Sequence, residues 1–262
     1  MTPQTPSRQS DAAAPRWHLA DWLGDAELPI FEVLDTRSAQ GRLDRRAKTV
    51  TVADLVLAHG HACDGLLRGV WAMRALADFA FGVEPIDRSD LLVVSKNSPC
   101  LGDVAAYLSG GRARFATHRL DDTLGVGFVL RRLSTGEIWE VREEPGFFPD
   151  TIVAWESALV EPGHDANELR ELLAVHELAQ WEWVRDVLLP SAPSEHYRTR
   201  ALDDVELPSA LHVARRTDVV NRSVPAPRAL NDVDDVIGAP VTEPGTPWRT
   251  WRDRYEAGPG RP

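Results

Sequence analysis

At 262 residues, with 43% hydrophobic and 26% charged side chains, the chain is long enough to bury a core of its own without disulfide staples. A net charge of −11 and a pI near 5.2 argue against nucleic acid or an anionic lipid surface as the main partner. Two cysteines cannot build a disulfide framework, the start Met-Thr-Pro-Gln-Thr-Pro-Ser-Arg lacks the apolar core of a signal peptide, and no stretch approaches the ~18 apolar residues of a membrane span. The expectation is therefore a cytoplasmic, reduced protein with both thiols free and with no nucleic acid or membrane among its partners.

Residues 1–15, rich in Pro, Ser, Gln and Ala, read as a flexible N-terminal arm. A short amphipathic stretch with Trp17 and Trp22 follows, then a loop through Pro29. The basic run Arg42 to Lys48 reads as a solvated turn in preference to an anion site. Val52 to Ala58 makes one or two helical turns. From about Cys63 to Ala80 the apolar residues Leu66, Leu67, Val70, Trp71, Met73, Leu76 and Phe79 recur with the helical period, widely enough for a mostly buried helix. Gly65 and Gly69, four apart, leave one face of it bare for another backbone, and Gly82 terminates it.

Asp90 to Ser95 reads as a central strand. Ser98-Pro99 is an N-cap and first-turn signature for a helix from Cys100 to about Leu108, ended by Gly110-Gly111. Arg114 to Leu120 and Gly125 to Leu133 alternate as strands, and Glu137 to Arg142 pairs back as a hairpin across Ser134-Thr-Gly136. Residues 150–160 and 165–189 are helical by pattern, the second with a shared face of Leu169, Leu172, Leu173, His176, Ala179, Trp183 and Val187. Ten of the nineteen prolines lie from Pro190 onward, so residues 191–262 read as a Pro-rich tail that wraps the core or meets a partner through Trp248 and Trp251. The fold class is α+β: a mixed sheet with helices packed mainly on one face, C-terminal helices and an extended tail. The expected segments are 1–15 arm, 16–160 core, 161–190 helical extension and 191–262 tail.

Chemistry concentrates in residues 58–70, where His59, His61, Cys63 and Asp64 fall within six positions. Thiolate and imidazole together are the ligand set of zinc and other first-row transition metals. Cys63 and Cys100 each sit near the start of a helix, where unpaired N–H groups and the dipole favour an anion. A thiol so placed is more available as ligand or nucleophile. The reading weighs Cys63 as metal ligand or catalytic thiol, His61 as ligand, and Cys100 as ligand, redox partner or buried filler. His59 is weighed as a residue behind the ligands or a proton-transfer group, or simply a core histidine. Asp103 shares a helical face with Cys100, as a site residue or a solvated carboxylate, and His118 is a weaker candidate. Asp64 most simply favours the helix N-terminus, and His176, on the apolar face, reads as a hydrogen-bonded core histidine.

These residues carry a resemblance. His59-Gly-His61-x-Cys63-x-Gly65 resembles the His-Gly-His-x-Cys-Pro-Gly opening of the FmdE family, named for the FmdE proteins associated with formylmethanofuran dehydrogenase. Asn97-Ser-Pro-Cys100-Leu-Gly-Asp103 is similar to that family's second motif, an Asn-x-x-Cys-x-x-Asp after a strand, and looser similarity extends the match to roughly residues 45–145. The resemblance implies an α+β core with a transition-metal site, usually zinc, in relatives that often pair through their core. This chain departs from the family at Asp64, where relatives often have Pro. It reads Gly110-Gly-Arg112-Ala-Arg114 in place of a Gly-Lys-Gly segment, and it has no cysteine after Cys100 to form the family's C-terminal zinc finger.

The functional expectation is a metal-dependent enzyme acting on a small molecule, with His61, Cys63 and Cys100 around zinc or another first-row metal. His59, Cys63 and Asp103 would act in catalysis, Arg112 and Arg114 would hold an anionic substrate, and the chain would form a homodimer. The alternatives are an accessory or metal-delivery protein without chemistry of its own, and a dithiol redox or sulfur-carrying protein.

Overall fold

The computed structural model describes Leu23 and residues 26–36, 43–113, 116–203, 205 and 207. The N-terminal arm, the Trp17/Trp22 stretch, Arg114, and the Pro-rich tail from residue 208 with Trp248 and Trp251 lie outside them. The chain divides into two compact units, Met1–Val33 with Lys48–Ala214 and Leu34–Ala47 with Arg215–Pro262, and the site described below belongs to the first.

Strand β1 (Ile30–Thr36) follows the expected loop through Pro29, and β2 (Leu43–Thr51) replaces the expected solvated turn. The period-two signal is present in β1, where Phe31 and Val33 are buried between exposed neighbours. Arg46 and Lys48 are exposed on β2. With a two-residue strand β3 (Ile86–Asp87) these make a small sheet of order β2-β1-β3.

Helix α1 (Val52–His59) opens on a capping box, the Thr51 hydroxyl and the Asp54 carboxylate each satisfying the other's backbone N–H, and closes at Gly60 with φ +102. Helix α2 (Asp64–Phe81) spans about 27 Å by its eighteen residues and is the spine of the core. Leu66, Leu67, Val70, Trp71, Met73 and Leu76 are buried as its period requires, while Phe79, expected among them, is 49% exposed.

The main sheet has five strands in the order β5-β4-β6-β7-β8. These are β4 (Leu91–Ser95), β5 (His118–Leu120), β6 (Gly127–Arg132), β7 (Ile138–Glu143) and β8 (Tyr197–Ala201). β4 and β5 run parallel, joined by a crossover through α3 (Pro99–Ser109). Every other neighbouring pair is antiparallel. All five residues of β4 are buried, as a central strand requires. Val93, Phe128, Leu130, Val141 and Tyr197 face the core that α2 and α3 complete, and the alternate residues Leu92, Val94, Val129 and Ile138 form a separate cluster with Leu124. The α+β architecture with helices on one main face is therefore present. β8 adds an edge strand at the start of the segment expected to be tail, and β5 is shorter than its expected range.

Helices α4 (Asp150–Val160) and α5 (Ala166–Trp183) follow, α5 running into a π turn over Val184–Leu188. The face of α5 expected in the core is largely solvent-facing: Leu169 is 37%, Leu173 42% and Val187 40% exposed, and only Gln180 and Trp183 of the helix are buried. A three-and-four spacing identifies a stripe but not what covers it, and here the helix packs along α4 and reaches the core at its C-terminal end.

A candidate metal centre at the start of α2

Gly60 determines how the histidines meet. Its left-handed backbone ends α1 straight after His59 and reverses the chain toward α2, a conformation that a side chain at this position would strain. The His59 and His61 rings consequently lie 4.6 Å apart, centroid to centroid. Cys63 is the N-cap of α2, its sulfur accepting the Leu66 N–H at 3.4 Å. The sulfur takes the place usually held by a hydroxyl or carboxylate oxygen. The donor atoms of His59, His61 and Cys63 lie within 4.8 Å of one another, a group that can hold a metal ion.

The second helix brings Cys100. A Cβ on Gly65 would stand 3.1 Å from the Cys100 sulfur, and one on Gly69 3.1 Å from Leu101, so the two glycines let α3 close onto α2. The Cys63 and Cys100 sulfurs are 3.5 Å apart. Ser98 precedes Pro99 at the N-cap, as expected, but its side chain makes no capping bond and lines the adjoining cleft instead.

His59 and Asp103 form a pair, Nδ1 to Oδ2 at 2.7 Å, with the His59 side chain only 3% exposed. The other ring nitrogen, Nε2, points to the Cys63 sulfur at 3.8 Å. This is the carboxylate–imidazole–metal arrangement, in which the carboxylate fixes the tautomer and ring orientation. Neither His59 nor Asp103 lines the cleft. His59 is the donor farthest from the cleft, and Asp103 stands behind it.

The two thiols share one proton. The hydrogen bond from Cys63 is the main influence lowering Cys100, to about 6, against burial. The same bond, followed by burial and the neighbouring sulfur's charge, pushes Cys63 far up. His118 sits apart, with Nε2 2.9 Å from the Ser95 hydroxyl, and burial lowers it while Asp103 opposes.

His61, Cys63 and Cys100 open onto a cleft of about 670 Å³, an ordinary size for a small-molecule site. Arg68, on its wall, is held by Glu143 at 2.9 and 2.5 Å and by Asp64 at 3.5 Å, with its guanidinium 3.7 Å over the Phe148 ring. Burial works against its charge, but Glu143 and Asp64 hold it protonated beyond the usual guanidinium range. Tyr197 donates to the same Glu143 at 3.1 Å, and burial raises its phenol. Asp64 is thus a buried member of this network as well as a first-turn carboxylate. Arg112 is exposed and does not line the cleft. The far wall comes from α5, including His176, 3.5 Å from Glu156, and Gln180. Sequence reasoning missed Arg68 and Gln180 because each reads as an ordinary polar position on a helix.

An α+β domain with a Cys/His cluster at a helix N-terminus, opening on a cleft, defines a class of candidate metal-binding proteins. Residues 58–183 match the model of the FmdE family, described as FmdE, molybdenum formylmethanofuran dehydrogenase operon, and this segment carries the likeness to that family. No curated protein matches it. Among solved structures it is similar to a tungsten formylmethanofuran dehydrogenase FmdE-like protein from Syntrophus aciditrophicus, at 14% identity and a TM-score of 0.38, covering 60% of this chain and 74% of that one. No helix among the described residues is long and apolar enough to cross a membrane.

Proposed function

We propose that this chain is a metal-dependent enzyme acting on a small molecule, with His59, His61 and Cys63 as metal ligands and Cys100 beside them. The observation that carries the reading is the convergence of three donors within 4.8 Å beside a cleft onto which two of them, His61 and Cys63, open. The donor set suits zinc. Bonds of about 2.0–2.3 Å in a tetrahedral site place donor atoms about 3.3–3.8 Å apart. The Cys63–His59 and Cys63–Cys100 separations of 3.8 and 3.5 Å fall in that range. When bound, the ion would supply Lewis acidity toward an oxygen of the small molecule.

The chain's own residues do the rest. Asp103 holds His59 in the tautomer with a free Nε2, and Gly60 lets exposed His61 approach from the cleft side. Arg68 is tied by two carboxylates and keeps the wall rigid. The setting proposed is cytoplasmic, where two thiols this close stay reduced, and the assembly proposed is a homodimer, readable by sedimentation velocity.

Elemental analysis of protein purified without an affinity-tag polyhistidine tests the reading. About one metal per chain is expected, falling together with activity in Cys63→Ser. Protein that purifies metal-free and gains no thermal stability from added zinc would overturn it.

A further inference from the structure

Gln180 is 7% exposed, lines the cleft, and its side-chain amide receives no hydrogen bond from, and gives none to, any described residue. Its amide atoms are not among the fully enclosed unpaired ones, so they keep contact with the cleft's solvent and are open to whatever enters it. The residue is also firmly placed. The Val184 N–H bonds back to the Gln180 and Trp181 carbonyls, and Trp183 anchors this end of α5 in the core. An amide that faces a cleft from a firmly held backbone, without a protein partner of its own, is placed to recognise a ligand.

The surrounding charges narrow what that ligand presents. Arg68 is matched by two buried carboxylates, Glu143 and Asp64, so the inner wall offers no spare positive charge to an anion. Glu156 is occupied by His176. Lys96 and Glu177 are exposed at the rim. We infer that Gln180 is the specificity-determining residue of the cleft and that it receives an uncharged carboxamide end of the small molecule. A carboxamide offers one donor and one acceptor, and pairs reciprocally with the donor and acceptor of the Gln180 amide. This inference rests on reading the cleft as the site of the small molecule.

The test uses full-length, zinc-loaded protein labelled with ¹⁵N at glutamine. The chain has four glutamines, so the Gln180 amide signal is assigned by its loss in Gln180→Leu. Propionamide, propionate and propylamine, alike in size and different in charge, are titrated separately. Propionamide is expected to shift the Gln180 signal saturably and to bind at least about fivefold more tightly than either charged analogue, as two neutral hydrogen bonds allow. Ligand-observed saturation transfer should show that advantage lost in Gln180→Leu and moved to propylamine in Gln180→Glu, which keeps the side chain's size. Equal or tighter binding of propionate or propylamine to the wild type, or an advantage unchanged in both variants, overturns the inference. Zinc content, measured on the same samples, reads the metal centre separately. An empty centre with an intact amide preference would sink the enzyme reading and leave this one standing.

Discussion

Replacing Asp103 by Asn tests whether His59 is a metal ligand held from behind. The carboxylate meets Nδ1 at 2.7 Å, and the ring it orients is almost fully enclosed. A hydrogen bond to a charged group contributes about 1.5–3 kcal/mol. Asp103 is 48% exposed, so the screened lower end of that range applies. About 1.4 kcal/mol is a factor of ten in an equilibrium constant, at the low end of the ~10–100-fold loss typical when such a partner is removed. Competition against a fluorescent zinc chelator at fixed pH should show Asp103→Asn binding zinc about tenfold more weakly, and Asp103→Ala more weakly still. Asn keeps an acceptor for Nδ1, so the melting of metal-free Asp103→Asn should be nearly that of the wild type. If both variants hold zinc within twofold of the wild type, the Asp103–His59 pair is structural and His59 is no ligand.

Gly65→Ala would push a methyl to 3.1 Å from the Cys100 sulfur and 3.3 Å from its Cβ. The small gain from replacing a helical glycine is opposed by overpacking of about 1–3 kcal/mol, so weaker zinc binding with modest destabilisation is expected, and unchanged affinity in the chelator competition would show that Cys100 is not held at the centre. Arg68→Ala leaves Glu143 and Asp64 as unpaired buried carboxylates; urea unfolding should show a loss of about 3–5 kcal/mol, and a loss below about 1 kcal/mol would mean the network is not coupled to folding. In the metal-free protein, absorbance at 240 nm should report one thiolate appearing near pH 6, absent in Cys100→Ser, because Cys100 is lowered to about 6. A thiol held below its unfolded value of 9.0 stabilises the fold in full above pH 9 and loses that contribution as the pH falls through about 6. Raised Cys63 acts oppositely, subtracting stability above pH 9. The wild type should therefore gain stability over Cys100→Ser between pH 6 and 9, and a flat difference would refute the shared proton.

The helical part of the scaffold is legible in the sequence because its signals are local. The period from Leu66 to Leu76, the Gly82 stop and the Ser98-Pro99 start each state an element's beginning, end or buried face. The convergence of the cluster is legible for the same reason: His59, His61 and Cys63 are neighbours in sequence, and one glycine is enough to fold them together. Cys100 and Asp103 arrive from 37 and 44 residues beyond their contacts, and only the Gly65–Gly69 notch hints that another helix comes that close. β2 reads as a turn because its charges outweigh its alternation. The α5 stripe reads as core because periodicity cannot distinguish a face against protein from a face against a cleft.

That last distinction bears on function. The donor side of the cleft is built from elements locked in the core: α1 ended at Gly60, α2 capped by Cys63, and α3 notched against Gly65 and Gly69. The opposite side is one helix whose cleft-facing residues Leu173, His176 and Glu177 contribute little to the buried core. Substitutions at such exposed positions usually change stability by less than about 0.5 kcal/mol, whereas a changed donor side disturbs both packing and metal. The two walls are therefore under different physical constraints. The donor side is tied to the fold and the α5 side tolerates change, so substitutions that alter ligand preference with little loss of stability are expected on α5, with Gln180 at its buried end.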